Sequence, residues 1–201
     1  MAGMKSMTLA QAIKLIKSMP VKYAALAAIG VSTGCRISEI LMLRRFDLID
    51  SEGNFKQRVT FVKLKSRAQK ERKLIIPIDF QRFIIKHLNE EAERGYERPD
   101  DYVFRGKYGK SLSRLAAYHF FRRTLGRGYG THFMRKTFAQ LMFKFFLEQN
   151  VSDPMRALEL VRQALGHERI DTTIKYLGFD TAVIDNAQNE IFSIKKRQKN
   201  G

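Results

Sequence analysis

Along most of this chain apolar positions recur three and four residues apart, the pattern of helices that bury one face. Leu9, Ala12, Ile13, Leu15 and Ile16 mark the first such stretch, Thr8 to Ser18, with Thr8 as its N-cap. Pro20 opens the next unit. From Lys22 the run YAALAAIGVSTG is small and apolar throughout, which predicts a buried helix stopped by Gly34. Ser38 to Leu43 returns to helical spacing, with Ile37, Ile40, Leu41 and either Met42 or Leu43 inward. Asp47 to Asn54 reads as a turn. The period then shifts to alternation over Gln57–Leu64 (QRVTFVKL) and Lys73–Ile78 (KLIIPI), both rich in β-branched residues. These two segments predict a β-hairpin whose tip is the polar loop Lys65 to Arg72, KSRAQKER.

Helical spacing resumes from Phe80 to Arg94 through Phe83, Ile84, Leu88 and Ala92, and Gly95 to Asp101 form a loop. Val103 and Phe104 suit a short strand or extended piece, followed by the loop Arg105 to Lys110. Ser111 or Ser113 then caps a helix through Leu115, Ala116, Tyr118, Phe120 and Phe121. After the loop Gly126 to Gly130, Thr131 is the expected N-cap of a long helix. Its Phe133, Phe138, Leu141, Met142 and Phe145 are expected to face the core. Pro154 to Leu165 form a helix ended by Gly166, and Asp171-Thr172-Thr173 are expected to cap the helix bearing Tyr176. A last amphipathic helix spans Ala182 to Ile194, and the basic tail 195–201 is expected to be disordered. The fold class is α+β and mostly α-helical, with one small antiparallel β-sheet or hairpin. At 201 residues the chain suits a single domain with a sizeable core.

Charge changes the picture. Lys and Arg number 37 against 20 Asp and Glu, a net charge of +17 spread along the chain and not confined to a tail. A folded basic surface of that strength selects polyanions, and nucleic acid is the expected partner. The single cysteine, Cys35, excludes an internal disulfide and a cysteine-based zinc site, so a reducing cytosol is the expected home. No apolar run approaches the roughly 18 residues that a membrane span needs, and no signal peptide is recognisable.

Several residues carry candidate chemistry. Arg36 follows the glycine stop at a helix–turn–helix junction, where a guanidinium with rigid flanks can hold a phosphate through two bonds. His132 and Arg135, three residues apart, share one face at the positive end of a helix dipole. A lysine at the hairpin tip can dip into a DNA groove; contact with backbone or water alone fits equally well. His167 and Tyr176 are nine residues apart in LGHERIDTTIKY, close enough to face one pocket. Alone, that last pair fits ordinary core packing with a satisfied hydroxyl. Together, two arginines can clamp a phosphodiester and stabilise a pentacoordinate transition state. A tyrosine in a cationic pocket near a histidine can act as nucleophile, and a lysine can protonate the departing 5′ oxygen. No Asp/Glu/His cluster has metal-ligand spacing and no glycine-rich phosphate loop exists.

The chain resembles the catalytic domain of the tyrosine recombinase (phage integrase) family. TGCRISEILMLRRFDL is similar to the family's first arginine box, HFMRKTFAQLMF to its H-x-x-R box, and LGHERIDTTIKY to its final histidine-to-tyrosine box. The boxes occur in order, and the resemblance runs from Thr8 to about Ile194. It implies a site-specific DNA recombinase that forms a 3′-phosphotyrosyl intermediate without metal, ATP or another cofactor, for integration, excision or inversion within a mobile element. It makes Arg36 and Arg135 the phosphate-binding arginines, Tyr176 the nucleophile, His132 a proton-transfer partner and His167 a hydrogen-bond donor to the phosphate. The family's lysine sits at the hairpin turn, which is longer here than usual. Lys65, at the end of the first strand, fits best, with Lys63 and Lys70 as alternatives.

The expected DNA-binding set is Arg36, Lys63, Lys65, Arg67, Lys70, Arg72, Arg135 and Lys136, and no residue is assigned to metal. The expected partner is double-stranded DNA with a specific recombination site, on which the chain self-associates as dimer or tetramer; no membrane is involved. The expected location is the cytoplasm, with the nucleoid, in a prokaryotic or viral setting. By the resemblance, 1–201 is expected to be one catalytic domain without the family's N-terminal DNA-clamping domain, either as a catalytic domain excised from a longer protein or as one of the short members that manage without it. Telomere resolution or type IB topoisomerase chemistry is the alternative outcome. A DNA-binding regulator that kept the fold without catalysis is another, though such a protein has no use for Tyr176 or His167.

Overall fold

The structure, a computed structural model, describes residues 6–62, 71–149 and 153–177. Helix α1 (Leu9–Ser18) begins with a reciprocal cap. The Gln11 N–H donates to the Thr8 hydroxyl at 3.2 Å, and the Thr8 N–H donates to the Gln11 side chain at 2.9 Å. Helix α2 (Val21–Thr33) is buried at every position from Ala24 to Val31, as its uniformly apolar sequence requires. It ends at Gly34, whose φ of 64° is left-handed; a Cβ there would lie 2.4 Å from the Phe138 ring.

Two single turns follow, α3 (Ile37–Ile40) and α4 (Arg45–Leu48). The helix expected over Ser38–Leu43 thus stops at Ile40, and Leu43 turns inward while Met42 is exposed. The turn α4 is absent from the sequence expectation. It forms because the Asp47 carboxylate accepts from the Arg44 N–H at 2.8 Å, a local cap that apolar periodicity does not reveal.

Strands β1 (Val59–Val62) and β2 (Glu71–Leu74) pair antiparallel, with Phe61 opposite Arg72 and Val59 opposite Leu74. The second strand therefore starts before the expected Lys73 and stops before Ile78. Pro77 has no N–H for the ladder, and Ile78 is already the exposed first residue of α5 (Ile78–Glu93). Arg72, expected in the loop, belongs to the strand. Residues 63–70 lie outside the described residues, and with them Lys63, Lys65, Arg67 and Lys70.

Val103 and Phe104 lie buried in a bend, not in the expected short strand or extended piece: the Val103 N–H donates to Leu43 O and the Leu112 N–H to Phe104 O. Helix α6 (Arg114–Leu125) is capped by Ser113, which accepts from the Ala116 N–H at 3.1 Å; Ser111 bonds Leu41 O instead. Helix α7 (His132–Glu148) starts at the expected place, yet Thr131 has helical backbone angles and its side chain makes no capping bond. Phe145 is exposed, against expectation, and Phe146 packs inward in its place. Helix α8 (Pro154–Leu165) has an Asp153 cap and a proline in its first turn, and closes on Gly166 at φ 64°. Helix α9 (Ile170–Leu177) begins earlier than expected, so Thr173 is a buried residue within it and not a cap. The expected last helix and basic tail lie outside the described residues.

Helix α2 packs against α1, α5 and α7 in the main core, which also takes Phe61, Phe104 and Phe121. A smaller core joins α7, α8 and α9 through Ala139, Leu158, Val161, Leu165 and Leu177. Helix α7 serves both, giving Phe133 and Met134 to the first and Ala139 to the second. Arg135 lies on α7 between them. Among the described residues no helix is long and apolar enough to cross a membrane.

Candidate active site

Arg135 is the deepest part of the site, 1% exposed and the bulkiest of the fully buried side chains. Its guanidinium donates to two carbonyls that helix ends leave without partners: Gly34 O, after α2, and Leu165 O, at the end of α8, the latter at 2.7 Å. Both helices end in left-handed glycines, so the local stops legible in the sequence create the acceptors that hold this arginine. Arg135 Nε is also buried, with no hydrogen-bond partner among the described residues. Burial, and then the Arg36 charge, pull the Arg135 pKa down to about 10, so it stays cationic at neutral pH.

Arg36 occupies the residue before α3, where the Gly34 turn delivers it. The Glu39 carboxylate accepts from the Arg36 N–H at 2.9 Å and from Arg36 Nη1 at 3.1 Å. The Glu39 side chain is only 2% exposed and that of Arg36 22%, so the carboxylate is hidden while part of the guanidinium faces outward. Arg36, His132 and Arg135 line one small cavity of about 80 Å³, together with Ser38 and Arg114. The spacing of Arg36 and of His132–Arg135 thus brings all three to one place.

Tyr176 lies beside this cavity, its hydroxyl 3.0 Å from His132 Nδ1. Its ring sits between two imidazoles, with centroids 6.2 Å from His132 and 5.2 Å from His167. The Arg135 guanidinium carbon is 5.7 Å from the same ring, within cation–π range. His167 is buried, and its Nδ1 is 2.9 Å from the Thr173 hydroxyl. Its backbone is fixed as well, since Arg162 Nη1 donates to His167 O at 2.6 Å. Cys35 lies under the arginines, and burial pushes its thiol up to about 11, so it stays protonated.

Arg36, His132, Arg135, His167 and Tyr176 are therefore gathered in one site. Lys136 is half-buried on α7 outside the cavity. Arg72 is turned inward, donating to Glu39 Oε2 at 3.1 Å and to Ala164 O at 2.9 Å. Sequence reasoning missed three participants, Glu39, Thr173 and Arg114, and the inward direction of Arg72. Glu39 had a signal, lying three residues after Arg36 at a helix start, the spacing at which a side chain returns to the cap N–H. Thr173 also had one, three residues before Tyr176 and so on its helical face. Arg114 and the inward turn of Arg72 depend on packing alone.

The sequence profile described as the phage integrase family matches residues 4–182. The chain belongs to the phage integrase family. Among curated relatives it is 28% identical over 192 residues to tyrosine recombinase XerC of Rickettsia typhi, covering 90% of this chain and 55% of that protein. Against tyrosine recombinase XerH of Campylobacter jejuni it is 25% identical over 170 residues, 82% of this chain and 43% of the relative. The chain thus spans about half the length of the curated relatives it matches. Among solved structures the fold matches XerA recombinase with a TM-score of 0.66 at 17% identity, over 94% of this chain and 65% of that one. It matches XerH bound to a palindromic difH substrate with a TM-score of 0.63 at 22% identity, over 92% and 53%. The Tn1549 transposon integrase, bound to transposon right-end DNA, gives 0.64 at 17% identity, over 96% and 67%. In this fold Arg36, His132 and Arg135 line one cavity, with Tyr176 beside it and His167 against the Tyr176 ring.

Proposed function

We propose that this chain is the catalytic domain of a site-specific DNA recombinase that cuts and rejoins double-stranded DNA through a 3′-phosphotyrosyl intermediate. The observation that carries the reading is the Tyr176 hydroxyl, 3.0 Å from His132 Nδ1, beside the buried Arg135 guanidinium. In the reaction, Arg36 and Arg135 bind the non-bridging oxygens of the scissile phosphate and offset the charge that grows in the transition state. Tyr176 attacks phosphorus and passes its proton to His132 Nδ1. His167, fixed through Thr173, donates to a phosphate oxygen. The P–O5′ bond breaks, and the hairpin lysine, Lys65 in this reading, protonates the leaving 5′ oxygen. A 5′-hydroxyl from another strand then attacks the phosphotyrosine, returns a proton through the same groups and frees Tyr176. The bond energy is kept in the phosphotyrosyl link, so no ATP is consumed, and the two guanidiniums take the charge-stabilising role that a metal ion has elsewhere.

The basic surface supplies the DNA affinity, and the family's named relatives include structures solved on DNA, among them a lambda integrase dimer on a core site. Self-association on DNA as dimer or tetramer belongs to the same proposal. The test uses duplexes drawn from the genetic element that encodes the chain, nicked beside the cleavage position so that the product cannot reseal. With EDTA present, the wild-type chain is expected to form an SDS-resistant adduct that Tyr176→Phe does not form. Binding without an adduct on every such duplex, in a chain carrying its natural flanking sequence, would overturn the proposal.

A further inference from the structure

Arg72, an expected DNA contact, has its guanidinium committed to the interior of the protein. Strand register explains the direction: Arg72 stands opposite Phe61, which is 1% exposed, so the residue faces the core side of the hairpin. Its side chain is 14% exposed. One guanidinium reaches two separate segments of the site. Nη2 donates to Glu39 Oε2 at 3.1 Å and lies 3.3 Å from Cys35 Sγ; Nη1 donates to Ala164 O at 2.9 Å, just before Leu165 and His167. The turn at Gly166 is shaped around it, since a Cβ there would sit 3.0 Å from Arg72 Cδ.

Glu39 is the reason such an arginine is needed. A nearly buried carboxylate bound to Arg36 alone would form a tight neutral pair and cancel the charge that Arg36 offers to a phosphate. Here the carboxylate is divided: Oε1 takes Arg36 Nη1, and Oε2 takes the Arg36 N–H together with Arg72 Nη2. Arg36, Arg72 and Arg135 against Glu39 leave the cluster two positive charges in excess. A lysine in place of Arg72 keeps the charge but offers one nitrogen where the guanidinium offers two, spaced in a fixed fork.

We propose that Arg72 is a positioning residue for phosphate transfer: it supplies the second cation that lets Glu39 aim Arg36 without neutralising it, and it ties that pair to the turn carrying His167. This rests on the recombinase reading above and adds a role that does not require Arg72 to touch DNA.

The test compares wild type, Arg72→Met, Arg72→Lys, Glu39→Gln and the double variant Arg72→Met/Glu39→Gln, all in the full chain. Three readouts are taken: equilibrium binding to the nicked duplex, the single-turnover rate of adduct formation, and the melting temperature. Arg72→Met is expected to keep its Kd within about threefold while adduct formation slows about 100-fold, the pattern of a loss felt in the transition state. Because the methionine leaves Glu39 to neutralise Arg36, removing the carboxylate charge as well should recover about tenfold of that rate, a coupling that independent sites do not show. Arg72→Lys is expected between wild type and Arg72→Met, and it carries the same readouts should the methionine variant not fold. Kd and rate falling together would make Arg72 a DNA contact and overturn the proposal, as would a double variant as slow as the product of the single losses. A wild-type chain that forms no adduct would sink the recombinase reading. The melting cycle still decides on Arg72 in that case: Glu39→Gln must raise the melting temperature of Arg72→Met while lowering that of wild type, and additive shifts would refute the inference.

Discussion

The site has a deep half and a rim, built on different physics. In the deep half, Arg135 is held by two helix-end carbonyls, Glu39 by two guanidiniums, and His167 by Thr173 and a bonded backbone. At the rim, His132 is exposed, Tyr176 is half-buried and hydrogen-bonded to it, and Arg114 is exposed at the start of α6. The buried groups cannot leave without exposing carbonyls and charges to an apolar core, so they are part of the fold's stability. The rim groups can be exchanged at little structural cost. In the proposed mechanism phosphate binding is pre-organised in the interior, and Tyr176 attacks from the rim.

The sharpest way to break this contrast is at the nucleophile. Tyr176→Phe removes one hydroxyl at the rim, and adduct formation should fall by at least about 10⁴-fold, as expected for loss of a covalent nucleophile. Its melting temperature should stay within about 2 °C of wild type, as for most changes outside the core. Arg135→Ala attacks the other half. It strips partners from Gly34 O and Leu165 O, and at about 1–3 kcal/mol for each orphaned buried acceptor the melting temperature should drop by about 5–15 °C along with activity. Comparable stability losses in both variants would erase the distinction between the halves.

These two halves were not equally legible in the sequence. The helix stops at Gly34 and Gly166 and the caps at Thr8 and Ser113 are local events, written in residues a few positions apart. So were the positions of Arg36, His132, Arg135, His167 and Tyr176, because each sits beside such a stop or on a periodic helix. The inward turn of Arg72 was not, since it depends on strand parity and on which element lies beneath, and the local cap spacing of Glu39 did not reveal its second bond, to Arg72. The KLIIPI run looked like a strand because Ile75 and Ile76 are β-branched, yet pairing shifted to Glu71–Leu74 once Pro77 and α5 claimed its end. Phe145 looked like core from its position, but α7 outruns the smaller core and exposes it.

Smaller effects sharpen the same division. Gly166→Ala places a side chain in a left-handed position against Arg72 and should cost about 1–2 kcal/mol in urea unfolding. It should slow adduct formation more than it weakens DNA binding. Arg114→Ala, at the rim, should leave the melting temperature unchanged and weaken DNA binding, lowering the slope of log K against log salt by about one.

A control far from the site comes from His87, buried on α5, where burial lowers its pKa below the usual 6.5. Its Nε2 lies 2.8 Å from Val103 O, and Glu91, Glu90 and Lys22 act on it electrostatically. Its folded pKa is depressed, so between the two values the unfolded chain binds more protons. Stability is therefore fully present above pH 6.5 and lost as pH falls below it. Melting curves from pH 7 to pH 5 should show that decline, and His87→Gln should flatten it without changing adduct chemistry.

The most direct test of the account is to find the atom that carries the DNA. The covalent complex from a nicked duplex is digested with protease and nuclease, the modified peptide is sequenced by mass spectrometry, and the released strand is examined for its end group. The account predicts a nucleotide attached through a 3′ phosphate to Tyr176 and a released strand ending in a free 5′-hydroxyl. A nucleotide on any other residue, or a linkage through a 5′ phosphate, would contradict it.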